Sequence, residues 1–119
     1  MDTTFRGIFL TSETPEATAR FYEEVALLPL ERVGTPGQYV YWRLDRDGVQ
    51  LAIHDAKAFA DYAYPPLPGS NLTHLYFQIA DQKAFLAHLA SLRLQPLAVD
   101  DVTVTLADPD GRKIMFGTA

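Results

Sequence analysis

The chain carries a second copy of its own opening. Phe5 to Leu30 reads FRGIFLTSETPEATARFYEEVALLPL, and Leu72 to Leu97 reads LTHLYFQIADQKAFLAHLASLRLQPL. Adding 67 to a position in the first stretch gives its counterpart in the second, so Pro29-Leu30 falls on Pro96-Leu97 and Leu27 on Leu94. Identities are few. What repeats is the order of apolar strand, polar break, amphipathic helix and Pro-Leu exit. Further along, Asp45-Arg46-Asp47-Gly48 and Asp108-Pro109-Asp110-Gly111 both sit between strand-like runs. A duplicated unit of this kind implies two equivalent walls around one shared space. It also lets each candidate residue be compared with its partner in the other half.

Each copy reads the same way along its length. Phe5 to Thr11 is apolar and aromatic, as a strand is. Thr14-Pro15-Glu16 is a helix start, with a hydroxyl N-cap, proline at the first helical position and an acid in the first turn. Thr18, Phe21/Tyr22, Val25 and Leu28 then recur at helical spacing, and the helix ends before Pro29. Leu30 to Val33 is a short strand. Gln38 to Leu44 and Val49 to His54 form a hairpin. In the second copy Leu72 to Ile79 is a strand, Asp81 caps a helix bearing Phe85, Leu89 and Leu92, and Leu97 to Val99, Val102 to Leu106 and Arg112 to Phe116 are strands. The predicted class is α+β: two tandem βαβββ modules, at about residues 5–55 and 72–118 of one domain spanning 1–119, forming curled mixed sheets around a common cup with helices outside. Residues 56–71 connect them, with a short helix expected over Ala56 to Ala63. The segment is expected first as a plain connector; the alternative is that its Tyr62 and Tyr64 lie across a pocket mouth.

Composition narrows the function by exclusion. There are 15 acidic and 10 basic residues, a formal charge of −5, and no basic cluster, so nucleic acid is not an expected partner. The chain has no cysteine, which removes disulfides, thiolate metal sites and a cysteine nucleophile. No apolar run approaches the ~20 residues needed to span a bilayer, and the opening residues lack a basic-then-apolar signal. No membrane is therefore expected as a partner, and the expected location is cytoplasmic. No Ser-His-Asp arrangement, phosphate loop or dinucleotide fingerprint is present.

Ala19-Arg20-Phe21-Tyr22-Glu23-Glu24-Val25, followed by Leu27-Leu28-Pro29-Leu30, resembles the A-x-FY-x-x-V-L-G-L helix and exit of the vicinal oxygen chelate superfamily. Asp108-Pro109-Asp110-Gly111 is similar to its DPDGN hairpin. The resemblance covers nearly the whole chain. The superfamily includes glyoxalase I, extradiol dioxygenases, fosfomycin-resistance enzymes and bleomycin-resistance binding proteins, so it implies a fold and not one chemistry. It also implies a homodimer. In metal-using relatives four strand positions supply His, Glu or Gln ligands. Carried onto this sequence, they fall on Gly7, Ala52, His74 and Met115. Only His74 is a good ligand, and a lone imidazole with a thioether does not make a usual divalent site. The expectation is no metal and no cofactor. A displaced site built from Gln50, His54 and His74 lacks a carboxylate and falls short of common site compositions.

Strand alternation then lines the cup. Gly7 brings Phe9 and Thr11 to the inner face; His74 brings Tyr76 and Gln78; Ala52 brings Gln50 and His54; Met115 brings Lys113. Pairing Leu44 with Val49 across the hairpin adds Tyr39, Tyr41 and Arg43, and sends Val40 and Trp42 toward the helix. The expected ligand-binding set is Phe9, Tyr39, Tyr41, Arg43, His54, His74, Tyr76 and Met115. Such aromatic walls with few polar groups suit a small, partly aromatic or apolar organic molecule. The alternative is a lyase, isomerase or dioxygenase that uses a non-standard metal site or acid/base work by His74. His88, on the second helix, is expected to be structural.

Overall fold

The computed structural model describes residues 4–60 and 75–119. The first module is β1 (Gly7–Ser12), α1 (Pro15–Glu24), β2 (Glu31–Gly34), β3 (Val40–Arg46) and β4 (Val49–Asp55). A short α2 (Ala56–Ala60) follows. The second module is β5 (Leu75–Gln78), α3 (Gln82–Ser91), β6 (Ala98–Val99), β7 (Thr103–Ala107) and β8 (Lys113–Gly117). Each module forms a four-stranded mixed sheet, ordered β1-β4-β3-β2 and β5-β8-β7-β6. β1 runs parallel to β4 and β5 to β8; the other pairs are antiparallel. The fold is thus α+β with βαβββ twice, as the repeat predicts. The offset of 67 holds at both ends of the helices, and the turn glycines Gly48 and Gly111 differ by 63, so four residues are lost between the helix and the hairpin of the second copy.

The two helices start differently. Asp81 accepts hydrogen bonds from the backbone of Lys83 and Ala84 at 2.9 and 3.4 Å, a conventional cap. The cap expected from the Thr14 hydroxyl does not form. Instead Ser12 Oγ accepts from the Thr14 N–H at 3.0 Å and lies 2.9 Å from Thr18 Oγ1. Ser12 therefore ties the end of β1 to the first turn of α1.

The hairpin register also differs from the expected one. Leu44 lies opposite Leu51, and Arg46 opposite Val49. Asp47 and Gly48 both take positive φ, 53° and 81°, so they make a two-residue turn that sets Arg46 against Val49. The displacement is two residues along the ladder. Because side chains alternate with period two, each keeps its expected face.

One face of each sheet carries the core. Leu10 and Ile53 from the first sheet, and Val104, Leu106, Ile114 and Phe116 from the second, join Ala19, Tyr22 and Val25 of α1 and Phe85 and Leu89 of α3 in one cluster. Trp42 packs against it from β3, on the helix side. Burying each large apolar side chain here contributes roughly 1.5–3 kcal/mol. The opposite faces carry the candidate site residues. His88, half-buried, bonds the Glu24 carbonyl through Nε2 at 2.7 Å, which fastens α3 to the end of α1.

Candidate functional site

On the open face of the first sheet, Phe9 of β1, Ala52 of β4 and Arg43 of β3 form one row across the ladder. His54, two residues beyond Ala52, is 8% exposed and is packed by rings. Tyr41 stacks on it at 4.7 Å between centroids and 15° between planes. Phe9 meets it edge-on at 5.3 Å. The Tyr39 hydroxyl and His54 Nδ1 share a hydrogen bond of 2.6 Å whose donor follows the imidazole tautomer. Burial pushes the His54 pKa below the ordinary histidine value, so the ring is neutral at pH 7. Beside it Arg43 pairs with Glu31 at 3.4 Å and Asp45 at 3.7 Å. Gln50, also buried, donates to Asp45 at 3.3 Å.

The expected set is thus divided. Phe9, Tyr39, Tyr41, Arg43 and His54 are together on the first sheet. Tyr76 and Met115 are ladder partners on the second, with Thr105 on the far side of Met115. The Tyr76 hydroxyl donates to the Ala119 carbonyl at 2.8 Å, and its ring passes over Gly117, where an added Cβ would lie 2.3 Å from that hydroxyl. His74, Tyr62 and Tyr64 lie outside the described residues. Between the modules is an apolar cleft of about 270 Å³, lined from the first sheet by Ile8, Leu44 and Leu51 and from β5 by Leu75 and Phe77.

The donor set does not fit a divalent metal at the family positions. Gly7 has no side chain, and any Cβ there would meet the Gln50 carbonyl oxygen at 1.9 Å, so this backbone admits no ligand-bearing residue at that place. Ala52 is fully buried and offers no donor. Met115 offers a thioether, a ligand for soft ions. Among the described residues no three His, Cys, Asp or Glu side chains gather as a metal site would need.

The sequence reading missed a polar network that fixes the two modules to each other. Asp108, buried, accepts from the Tyr22 hydroxyl at 2.8 Å and from Arg112 at 2.7 Å. Asp110 accepts from Thr18 Oγ1 at 2.7 Å and from the Glu13 N–H at 3.1 Å. Arg112 also donates to the Thr11 carbonyl. Burial strongly raises the Tyr22 pKa, and the charge of Asp108 and the bond to it add to this, against a smaller opposing effect of Arg112. For Asp110 burial acts upward, but the bonds from Ser12, Thr18 and Glu13 and the charge of Arg112 outweigh it and hold the carboxyl below its usual value. A tyrosine on the apolar stripe of α1 was the available signal, since a buried phenol needs a partner.

The matches to known proteins agree with this geometry. The sequence profile of the glyoxalase-like domain matches residues 7–116. A lactoylglutathione lyase from Agrobacterium tumefaciens superposes with a TM-score of 0.67 at 21% identity, covering 98% of this chain and 93% of that one. A glyoxalase-related enzyme from Fulvimarina pelagi gives 0.73 at 18%, covering 98% and 88%. A glyoxalase/bleomycin resistance protein/dioxygenase from Nocardioides gives 0.70 at 17%, covering 98% and 83%. At these identities the structural likeness speaks for the fold alone. No curated protein matches in sequence. The profile covers both modules from β1 to β8, and with it the chain belongs to the glyoxalase-like domain family of the vicinal oxygen chelate superfamily.

Proposed function

We propose that the chain, acting as one domain of two modules, binds a small, partly aromatic or apolar organic molecule on its open sheet faces without a metal. The observation that carries this reading is the ring cluster of Phe9, Tyr39, Tyr41 and His54 beside Ala52, where metal-using relatives would carry a ligand. Phe9 is 46% exposed, so the cluster presents an aromatic surface. Each well-placed ring contributes ~0.5–1.5 kcal/mol beyond area burial. Several such contacts, with Arg43 and His54 fixing polar groups, support binding near micromolar, about −8 kcal/mol. Tyr76 and Met115 of the second sheet, with His74, are assigned to the same ligand.

The Tyr39–His54 hydrogen bond favours one further reading, that His54 acts as a general base in an isomerase or lyase of this superfamily. A neutral imidazole oriented by a phenol suits that role.

Phe9 and Tyr76, at 46% and 45% exposure, lie on the edge strands β1 and β5. Exposed edges of this kind call for a cover, and we propose a homodimer as that cover. Light scattering should return twice the 13.3 kDa chain mass; a monomer mass rejects this.

The binding reading is tested by a thermal-shift screen of small aromatic molecules, followed by calorimetry on the parent and Tyr41→Ala. The variant should bind an identified ligand about tenfold more weakly, equivalent to 1.4 kcal/mol, while unfolding at a similar temperature. Equal affinity removes the ring cluster as the site. With the ligand in hand, product formation that persists in chelator and vanishes in His54→Gln would support the catalytic reading.

A further inference from the structure

On the helix side of the first sheet, reaching Tyr39 at the border of the ring cluster, there is a second and larger cavity. Its volume is about 890 Å³, and it opens between the start of α1, strands β2 and β3, and the start of α2. It exists because α1 packs over β1 and β4 and leaves the outer half of the sheet uncovered. Its lining includes Trp42, the single tryptophan of the chain.

The charges around it do not cancel. Arg20 is paired with Glu16 at 3.7 Å. The Asp55 carboxylate accepts the backbone N–H groups of Lys57 and Ala58, both at 3.0 Å. Those neutral donors leave the Asp55 charge in place, so Arg32 and Lys57, neither in an ion pair among the described residues, give the lining a net charge of +1. Arg32 is the ladder partner of Trp42, so the guanidinium and the indole rise from the same face of adjacent strands.

We propose that this cavity is a binding site for a small aromatic carboxylate, with its ring against Trp42 and its acid group between Arg32 and Lys57. The cavity is open to solvent on one side, and its volume leaves room for a drug-sized molecule against the sheet. An indole offers a flat ring both area and an offset-stacked partner. The chain carries a formal charge of −5, so its long-range field does not draw anions in. Selectivity for an anion here rests on the two local cations, and it weakens as salt screens them. The cavity shares Tyr39 with the ring cluster, since that side chain lines the cavity and also bonds His54; Arg32 and Trp42, which hold the probe, face away from Phe9, Ala52 and Arg43 on the same sheet.

The probe is trans-cinnamate, with the neutral trans-cinnamamide as its partner of equal shape, followed by calorimetry and by Trp42 fluorescence. Saturable heat and a fluorescence change with one shared midpoint are expected, and cinnamate should bind about five- to tenfold more tightly than the amide at low salt. Replacing both cations, Arg32→Gln with Lys57→Gln, should bring cinnamate down to the affinity of the amide. Both residues are exposed, so the fold should survive. Tyr41→Ala, which removes a ring from the other face, should keep the affinity for cinnamate. The proposal is overturned if cinnamate shows no saturable binding up to about 1 mM, if the amide binds equally well, or if the double variant retains the preference. It is overturned too if Tyr41→Ala abolishes binding, since the probe would then sit on the ring cluster.

Discussion

Asp45-Arg46-Asp47-Gly48 closes the first hairpin at the surface, where Asp45 pairs with Arg6 at 3.2 Å and Arg43 at 3.7 Å. Asp108-Pro109-Asp110-Gly111 closes the second hairpin against another module. Its two carboxylates are spent on Tyr22 and Thr18 of α1, and Arg112 secures both while reaching the Thr11 carbonyl. The equivalent residues explain the difference. Moving back 63 positions from Arg112 gives Val49, which has no charge to offer and is 43% exposed. Moving forward 67 from Ser12, Thr18 and Tyr22 gives Ile79, Phe85 and Leu89, and the α3 side packs apolar rings instead, with Phe85 stacked 4.5 Å from Phe116. A duplicated motif has thus taken two roles. One copy of the turn is solvated; the other locks the modules, and only α1 carries the hydroxyls that receive it.

The largest expected effect tests that division directly. Asp108→Ala takes the nearer carboxylate from the part-buried Arg112, which keeps Asp110 at 3.5 Å, and leaves the buried Tyr22 hydroxyl without its acceptor; it should cost about 3 kcal/mol. Asp45→Ala, at the matching place in the exposed hairpin, should cost about 1 kcal/mol or less. Urea unfolding of the two variants measures both. Similar costs would mean that the buried lock contributes no more than the surface pairs.

A smaller effect is read in alkali. The Tyr22 pKa is raised in the folded chain, whereas an unfolded tyrosine ionises near ~10. The raised value favours the neutral phenol on folding. Its contribution is therefore complete below pH ~10 and is lost as pH rises above that value. Tyr22→Phe should cost about 1–3 kcal/mol at pH 7, because it leaves Asp108 one donor short. The variant should also lose less stability than the parent between pH 9 and 11 (about one unit either side of the unfolded value). Parallel alkaline limbs for parent and variant would show that Tyr22 does not titrate on unfolding.

The faces of the strands were legible in the sequence and their partners were not. Alternation placed Phe9, Tyr41, Arg43 and Ala52 on one face even though the hairpin register is displaced by two residues, because the face depends only on parity. The helix starts followed from the sequence, since Pro15 maps onto Gln82, but α1 closes at Glu24 and not just before Pro29 as expected, with Leu27 already in the left-handed region. Two kinds of detail were hidden. One is a local choice between competing hydroxyls: Ser12 rather than Thr14 organises the start of α1, and capping propensity favours serine over threonine only modestly. The other is contact at long separation. Nothing in the spacing links Tyr22 to Asp108, 86 residues away. Alternation placed His54 on the inner face, but its packing under Tyr39 and Tyr41 depends on how β3 lies beside β4.

The smallest expected effect compares the two helix exits. After α1 the chain turns through Leu27 at φ 56°, and after α3 through Arg93 at φ 58°. Both sit in the left-handed region, which crowds a Cβ and costs an ordinary residue roughly 1–2 kcal/mol. Neither side chain repays this by packing: Leu27 is 69% exposed, and Arg93 is exposed as well. The Leu28 N–H reaches back to the Tyr22 carbonyl at 3.2 Å, so the turn after α1 is held by its backbone and not by the Leu27 side chain. Glycine adopts this conformation freely but loses more chain entropy on folding, which takes back part of the gain. Leu27→Gly should therefore stabilise the chain by a net ~0.5 kcal/mol, and Arg93→Gly by a similar amount. Thermal melts of the two variants, read for an upward shift, check this. A loss of stability at Leu27 alone would show that its exposed side chain is covered in solution, as it would be at an interface, and would set the two exits apart as the hairpins already are.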